Sequence, residues 1–499
     1  MSNTRLLFAD LCDRVTQEHI PVKIHSGEVQ QGDVFVLMPA AVPRGKEMSV
    51  PGGERFLEDA LSRNPGVVVC HEAHLPLLES LNASCAVTVV DNVRSSLGVL
   101  ARKYYGTDRH CPKVIGITGT NGKTTETYLL EALFNTLGKK TGVIGTVSYR
   151  WPGHEEDAPL TTPGCLVLHD MLSRMAAAGA EYAFMEVSSH ALDQERVAGI
   201  AFDAALMTNL TQDHLDYHSD MEEYFHSKEL LFKSVCEGGV PNDGKVAVLN
   251  ADDPFCRRIL QKLPGSIGFG LEQAPVPGTR HLAGKILSLT PKGITLALSF
   301  EGRQWELASP LVGSFNALNL LGALAIGLGL GMTPDALDAL SQFTGVSGRL
   351  ERVHGNRGLN VFVDYAHTPD ALVKAISALR DAGFARIITV FGCGGNRDKS
   401  KRPLMGKAVS SLTDIAVVTS DNPRDEDPVA IMDDIMPAMD ACAEVHADPD
   451  RRAALRKAVE LAGPDDAVLV AGKGHENYQI IKGVKHPFSD QEILRELMQ

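Results

Sequence analysis

The sequence predicts an α/β protein of three domains, and three observations carry that expectation. A chain of 499 residues has room for about three separate cores. Along most of its length short apolar runs alternate with amphipathic stretches, the pattern of mostly parallel strands covered by helices on both faces. A glycine-rich run, Gly119-Thr120-Asn121-Gly122-Lys123-Thr124-Thr125, joins one apolar run to a helix-patterned stretch.

Residues 1–91 hold short apolar runs, Val34-Phe35-Val36-Leu37 and Val67-Val68-Val69, between Gly/Pro turns, which predicts a small N-terminal α/β domain. In residues 92–345 strands are expected at 114–118, 182–187, 204–208 and 246–249, with a helix over 126–137. An alternating stretch over 286–307 predicts an antiparallel insertion, and the apolar segment 317–332 a buried helix. Residues 346–499 repeat the βα alternation, with strands at 361–364, 387–391, 415–419 and 467–470, the pattern of a Rossmann-like C-terminal domain.

The 119–125 run makes the central domain P-loop-type. A helix N-terminus leaves N–H groups unpaired and carries partial positive charge, so a polyphosphate satisfies both. Gly119 and Gly122 let the backbone approach without a Cβ, Lys123 reaches the β/γ-phosphates, and the Thr124 hydroxyl ligands Mg²⁺. The usual G-x-x-x-x-G-K-[ST] spacing is not obeyed, because its first glycine falls at Ile117.

Ligands on parallel sheets bind at the carboxyl ends of strands, so the polar runs there converge in space. One begins at Glu186, suited to holding Mg²⁺ against a triphosphate, and another contains His214 and His218. Those histidines have a metalloprotease spacing, but Leu215 stands where the general base belongs, which excludes zinc hydrolysis. His214 is read as a magnesium-site residue. Lys228 reads from periodicity alone as a solvated helix lysine. In the third region four charged turns, at Asp364, at Arg397, over Asp421-Asn422-Pro423-Arg424 and over Gly472 to Glu476, mark one binding edge. Their arginines imply a carboxylate or phosphate partner.

Composition excludes other classes. The formal charge of -14 opposes nucleic acid and anionic membrane as partners. Nine cysteines without a C-x-x-C pair suit reduced cytoplasmic thiols better than disulfides or zinc. The first residues show no basic-then-apolar leader, and Asn319 and several glycines interrupt the longest apolar segment. A cytoplasmic enzyme without membrane insertion is expected, as a monomer.

Taken together, G-T-N-G-K-T-T at 119–125, M-E-V-S-S-H-A-L at 185–192, T-N-L-T-Q-D-H-L-D-Y-H at 208–218 and G-S-F-N-A-L-N at 313–319 resemble the Mur ligases. So do D-Y-A-H-T-P-D-A-L at 364–372, G-C-G-G-N-R-D-K at 392–399, S-D-N-P-R at 420–424 and A-G-K-G-H-E at 471–476. The resemblance implies ATP-dependent amide synthesis through an acyl phosphate, in peptidoglycan precursor synthesis. It assigns Lys123 and Thr124, with the rest of the 119–125 loop, to the phosphates and Mg²⁺. Glu186 and His214 go to the metal centres, and Lys228 is implied to carry a CO₂-derived carbamate. Asn316 and Asn319 match adenine-side positions, and Arg349 and Asp364 third-domain nucleotide positions.

Substrate positions follow in the same way. Thr161, Thr162, Ser188, Gln194 and Arg196 match contacts to the muramoyl peptide of UDP-MurNAc-L-Ala-D-Glu. Arg397, Asp421, Asn422, Pro423, Arg424, Gly472 and Glu476 match an amino-acid site, and Arg424 implies meso-2,6-diaminopimelate rather than L-lysine. The chain departs from the family at His25-Ser26-Gly27, where D-S-R normally holds uridine, so only Ser26 carries over. Gly164 and Ser400 also replace usual residues. The alternatives are an L-lysine-adding or other Mur ligase, a folylpolyglutamate-type ligase, and a non-catalytic P-loop regulator.

Overall fold

The computed structural model describes residues 5–39, 53–215, 217–237, 240–241 and 244–499; Asp216 of the histidine-bearing run lies outside them. The chain divides into two compact units. One comprises Met1–Phe269, Gln273–His281 and Gly322–Met332, and the other Gly270–Glu272, Leu282–Leu321 and Thr333–Gln499.

The first unit opens with a four-stranded parallel sheet, Val22–Lys23, Val34–Val36, Val67–Cys70 and Ala86–Val89, in sequential order. Strand side chains alternate between faces. Val34, Val36, Val67 and Val69 therefore pack with Leu11, Val15 and Leu97, while Phe35, Leu37 and Val68 pack with Leu57 and Leu78. Both faces are buried, which is why these runs read as continuously apolar.

The larger sheet of this unit places Lys113–Thr118 at its centre, between Phe202–Met207 and Tyr182–Glu186, all parallel. Val246–Asn250 extends it on one side and Thr141–Ile144 on the other. The antiparallel strands Ser148–Trp151 and His154–Asp157 finish that edge. The four expected strands are present within one or two residues of their expected bounds. Thr141–Ile144 and the edge hairpin were not expected, because short runs rich in Gly, Arg and Glu carry little apolar signal.

The helix expected over 126–137 starts earlier and spans Lys123–Thr136, since Gly122 caps it at φ 88°. The buried helix is Ser314–Gly329. Its Gly322 is required by packing: a Cβ there would lie 2.3 Å from Glu126 Oε1. Among the described residues no helix is long and apolar enough to cross a membrane.

In the second unit, Gly293–Phe300 pairs antiparallel with Arg280–Thr290 and with Arg303–Ser309, the expected insertion. Its main sheet runs Glu351–Val353, Asn360–Asp364, Ala467–Ala471, Ile387–Phe391, Ile415–Thr419 and Glu444–Asp448. All neighbours are parallel except the first pair. Helices bury both faces, with Phe362, Phe391 and Val418 in one core and Val361, Val390 and Val470 in the other. The sheet's parallel strands therefore end at one edge, where the four charged turns begin.

Two of those turns are rooted by an ion pair. Arg451 and Asp490 have fully buried side chains and pair bidentately at 2.8 and 2.7 Å. The guanidinium also donates to Ser420 O at 3.3 Å and Ala471 O at 3.1 Å, the residues just before Asp421 and Gly472. Breaking a buried pair leaves an uncompensated charge. Asp490→Ala is expected to cost about 3–5 kcal/mol in urea unfolding, whereas Arg452→Ala, which removes the exposed Arg452–Glu496 pair, costs under about 1 kcal/mol.

Candidate functional site

In the first unit the phosphate loop is built by a chain of side-chain contacts. Gly119 takes φ 141°, and a Cβ there would sit 1.9 Å from Thr208 Oγ1, so glycine is obligatory. The run after Phe202–Met207 braces the loop. Thr120 N donates to Asn209 O at 3.0 Å, Asn121 N to Asn209 Oδ1 at 3.0 Å, and Thr208 Oγ1 to Asn121 O at 2.6 Å. Lys123 folds back, its ammonium donating to Gly119 O at 2.9 Å and Thr120 O at 3.0 Å.

Glu186 is 1% exposed, at the carboxyl end of its strand. Thr124 Oγ1 donates to its Oε2 at 3.0 Å, and Thr146 donates twice, from N to Oε1 at 2.8 Å and from Oγ1 to Oε2 at 2.9 Å. Thr146 shares a further bond with Thr161 Oγ1 at 3.1 Å. Thr146 escaped the sequence reading because its strand did. Its signal was a hydroxyl two residues past a sheet strand.

Lys228 is not the solvated lysine of its periodicity. It is 1% exposed and donates to Gly119 O at 2.9 Å. Burial, with repulsion from Lys123, pushes its ammonium well below the usual lysine range. Tyr224, one turn earlier, lies under that ammonium at 4.6 Å and bonds Thr120 Oγ1 at 3.1 Å. His214 is exposed at φ 54°, its ring 5.0 Å from that of His190 and 6.0 Å from Tyr224. Its counterpart His218 is buried and bonds Ser189 Oγ at 3.0 Å, and burial lowers its pKa. Among the described residues no three His, Cys, Asp or Glu side chains gather as a metal cluster.

Thr162, Ser188, Gln194 and Arg196 adjoin this centre. Thr162 Oγ1 donates to Glu186 O at 2.8 Å and accepts from Ser188 N at 3.1 Å. Arg196 donates to Thr162 O at 3.1 Å and grips Gln194 Oε1 at 3.0 and 2.8 Å. Gln194 in turn donates to Tyr217, whose hydroxyl donates to Asp193 at 2.6 Å. Ser26 stands apart in a short 3₁₀ turn after Val22–Lys23. A Cβ on Gly27 would meet open space, so nothing in the structure explains the missing arginine.

In the second unit Asn316 donates to Val312 O at 2.8 Å and accepts from Asn319 at 3.0 Å at the start of the buried helix. Asp364 accepts from Leu350 N and Ala366 N, and Arg349 lies 4.9 Å over the Tyr365 ring. Asn422 Nδ2 donates to Glu476 Oε2 at 2.8 Å, joining two of the charged turns. Arg424, at φ 53°, donates to Gly395 O at 2.8 Å, which brings in the third. Arg397 is exposed, and Ser400, the departure from the family, donates to Asp398 at 2.6 Å. Pro423 and Gly472 are buried beside these groups.

One buried acid has no evident use. Glu126, on the helix after the phosphate loop, is fully buried with both oxygens unpartnered, and desolvation raises its pKa well above the usual range. The folded state therefore keeps a proton that the unfolded chain releases above about pH 4.3, and stability falls as pH rises through that window. Glu126→Gln is expected to melt above the parent at about pH 8 and to converge with it near pH 4. Parallel melting curves across that range would contradict a buried, raised carboxyl.

Residues 117–327 match the family model described as the Mur ligase middle domain, and residues 348–474 that of the Mur ligase glutamate ligase domain. The chain is 51% identical over 482 residues to the UDP-N-acetylmuramoyl-L-alanyl-D-glutamate--2,6-diaminopimelate ligase of Lawsonia intracellularis, covering 97% of this chain and 96% of that protein. It is 38% identical over 479 residues to the ligase of the same name from Aquifex aeolicus, covering 96% and 93%. A solved structure of a ligase of that name superposes with a TM-score of 0.69 at 31% identity, covering 96% of this chain and 94% of the other. A folylpolyglutamate synthase of Mycobacterium tuberculosis shares the fold, with a TM-score of 0.58 at 21% identity, over 76% of this chain and 92% of its own.

Proposed function

The chain belongs to the Mur ligase family, and we propose that it joins meso-2,6-diaminopimelate to the D-glutamate γ-carboxylate of UDP-MurNAc-L-Ala-D-Glu. ATP drives the reaction, a step of peptidoglycan precursor synthesis in the cytoplasm. The observation that carries this reading is the Thr124–Glu186 contact of 3.0 Å, which sets a buried carboxylate against the phosphate loop. Residues 1–91 take the uridine end, residues 92–345 the ATP and the muramoyl peptide, and residues 346–499 the incoming amino acid.

In the first step the γ-carboxylate oxygen attacks the γ-phosphorus, the bond to ADP breaks, and an acyl phosphate forms. In the second the free amine attacks the acyl carbon, phosphate leaves, and the nitrogen gives up a proton. Both steps gather negative charge, so positioned cations and donors matter more than a covalent nucleophile. Lys123 and the loop N–H groups meet the phosphates. Thr161, Thr162, Ser188, Gln194 and Arg196 hold the peptide, Ser26 the uridine side, and Asn316, Asn319, Arg349 and Asp364 the nucleoside.

The buried, all-oxygen set at Thr124 and Glu186 fits a hard divalent cation. These two would hold Mg²⁺, with His214 and Lys228 toward a second ion. Bound there, the cation neutralises charge on the phosphate oxygens. Lys228 fits a carbamate because burial favours its neutral amine, the form that bonds CO₂ and releases one proton. A second acid–base fit is the Arg424 guanidinium, which suits the second carboxylate that distinguishes diaminopimelate from lysine.

Sustained, multiple-turnover release of ADP is expected only when the UDP-linked dipeptide and an amino acid are both present, with product mass confirming the amide. ATP split equally well without acceptor would sink the reading. Because a site built for a charged group rejects substrates lacking it, kcat/KM should favour meso-diaminopimelate over L-lysine by at least about 10³-fold. Equal values would defeat that part alone. Lys228→Ala should lose about 10²-fold or more in kcat, with small carboxylic acids restoring part of it in the same assay; normal activity would remove Lys228 from the mechanism.

A further inference from the structure

Lys473 lies between the amino-acid-side residues, yet nothing above gives it a role. It is 0% exposed, two residues beyond the Ala467–Ala471 strand. Its ammonium stands 3.3 Å from Asn422 Oδ1 and 3.3 Å from Glu476 Oε2, and 5.7 Å from the Tyr478 ring. An ammonium withdrawn from water is costly unless its charge is used.

Its use is visible in what it orients. An asparagine amide can be turned either way, and the choice is set by its partners. Asn422 Oδ1 receives both Lys473 Nζ and Ile480 N, the latter at 2.9 Å, which leaves Asn422 Nδ2 facing Glu476 Oε2 at 2.8 Å. Glu476 Oε2 is thus committed to the scaffold twice over. The two runs, Asp421 to Arg424 and Gly472 to Glu476, then hold two carboxylates, Asp421 and Glu476, against two cations, Lys473 and Arg424. A charge-balanced edge of this kind suits a zwitterion presenting one ammonium and one carboxylate.

We propose that Lys473 is a positioning residue for the amino-acid substrate: by fixing the Asn422 amide and the Glu476 carboxylate it builds the half-site that receives the substrate's zwitterionic end. This rests on the ligase reading above. The full-length protein would be assayed for ADP release with Lys473→Met, each substrate varied in turn.

The KM for meso-diaminopimelate should rise about tenfold or more, with the KM values for ATP and the UDP-linked dipeptide within about twofold. An unchanged amino-acid KM overturns the proposal. So does a rise shared by all three substrates with a lowered melting temperature, the mark of a merely structural lysine. If the methionine variant does not fold, Lys473→Gln, which keeps a donor for Asn422 without the charge, is judged by the same two outcomes. Parent protein whose ADP release ignores diaminopimelate would refute the ligase reading itself, a result distinct from either.

Discussion

Glu186 holds together segments that lie far apart in the chain. Its carboxylate receives the hydroxyl of Thr124 from the phosphate loop and both donors of Thr146 from the end of a neighbouring strand, while its own backbone oxygen receives Thr162. A buried carboxylate without such partners would be costly by several kcal/mol or more. Here the donors are preplaced by the parallel sheet, whose strands all deliver their following residues to one edge. The phosphate loop, Thr161 and Thr162, and the lysine behind Gly119 take their positions from that edge.

The two charged centres are built on different principles. Beside the phosphate loop two ionisable groups are deeply buried: Lys228 lies against a carbonyl and an aromatic ring, and neither oxygen of Glu126 has a hydrogen-bond partner. Such groups shift toward their neutral forms, and a neutral buried amine is what carbamate chemistry needs. In the second unit nearly the reverse holds. Arg451 is matched by Asp490, and Lys473 by Glu476 and Asn422, so these pairs hold loops in place.

Much of this was legible in the residues. The strand-to-helix phosphate loop, eight of the parallel strands of the two large sheets and the polar runs at their ends are legible within a residue or two, because buried parallel strands are near-continuous apolar runs. Thr141–Ile144 and Glu444–Asp448 were not read, since a short run or a half-polar edge strand carries weak periodicity. Thr146 was missed with its strand. Lys228 looked solvated because helical spacing reports which face a residue is on, not what packs against that face. Lys473 has no spacing signal of its own within the Gly472 to Glu476 turn; only its burial distinguishes it.

The chain's own order of residues determined which chemistry is available: a glycine-bounded loop with Lys123 and Thr124, carboxylates and histidines after strands, and arginines on the charged turns. Local backbone geometry and side-chain type suffice for that. Only the folded structure decided which of these groups lose their water. The burial of Lys228 behind Gly119, 109 positions away, and the approach of Lys473 to Asn422, 51 positions away, arise from segments distant in the chain. Desolvation and charge pairing depend on the sum of everything packed around a group, and that sum exists only in three dimensions.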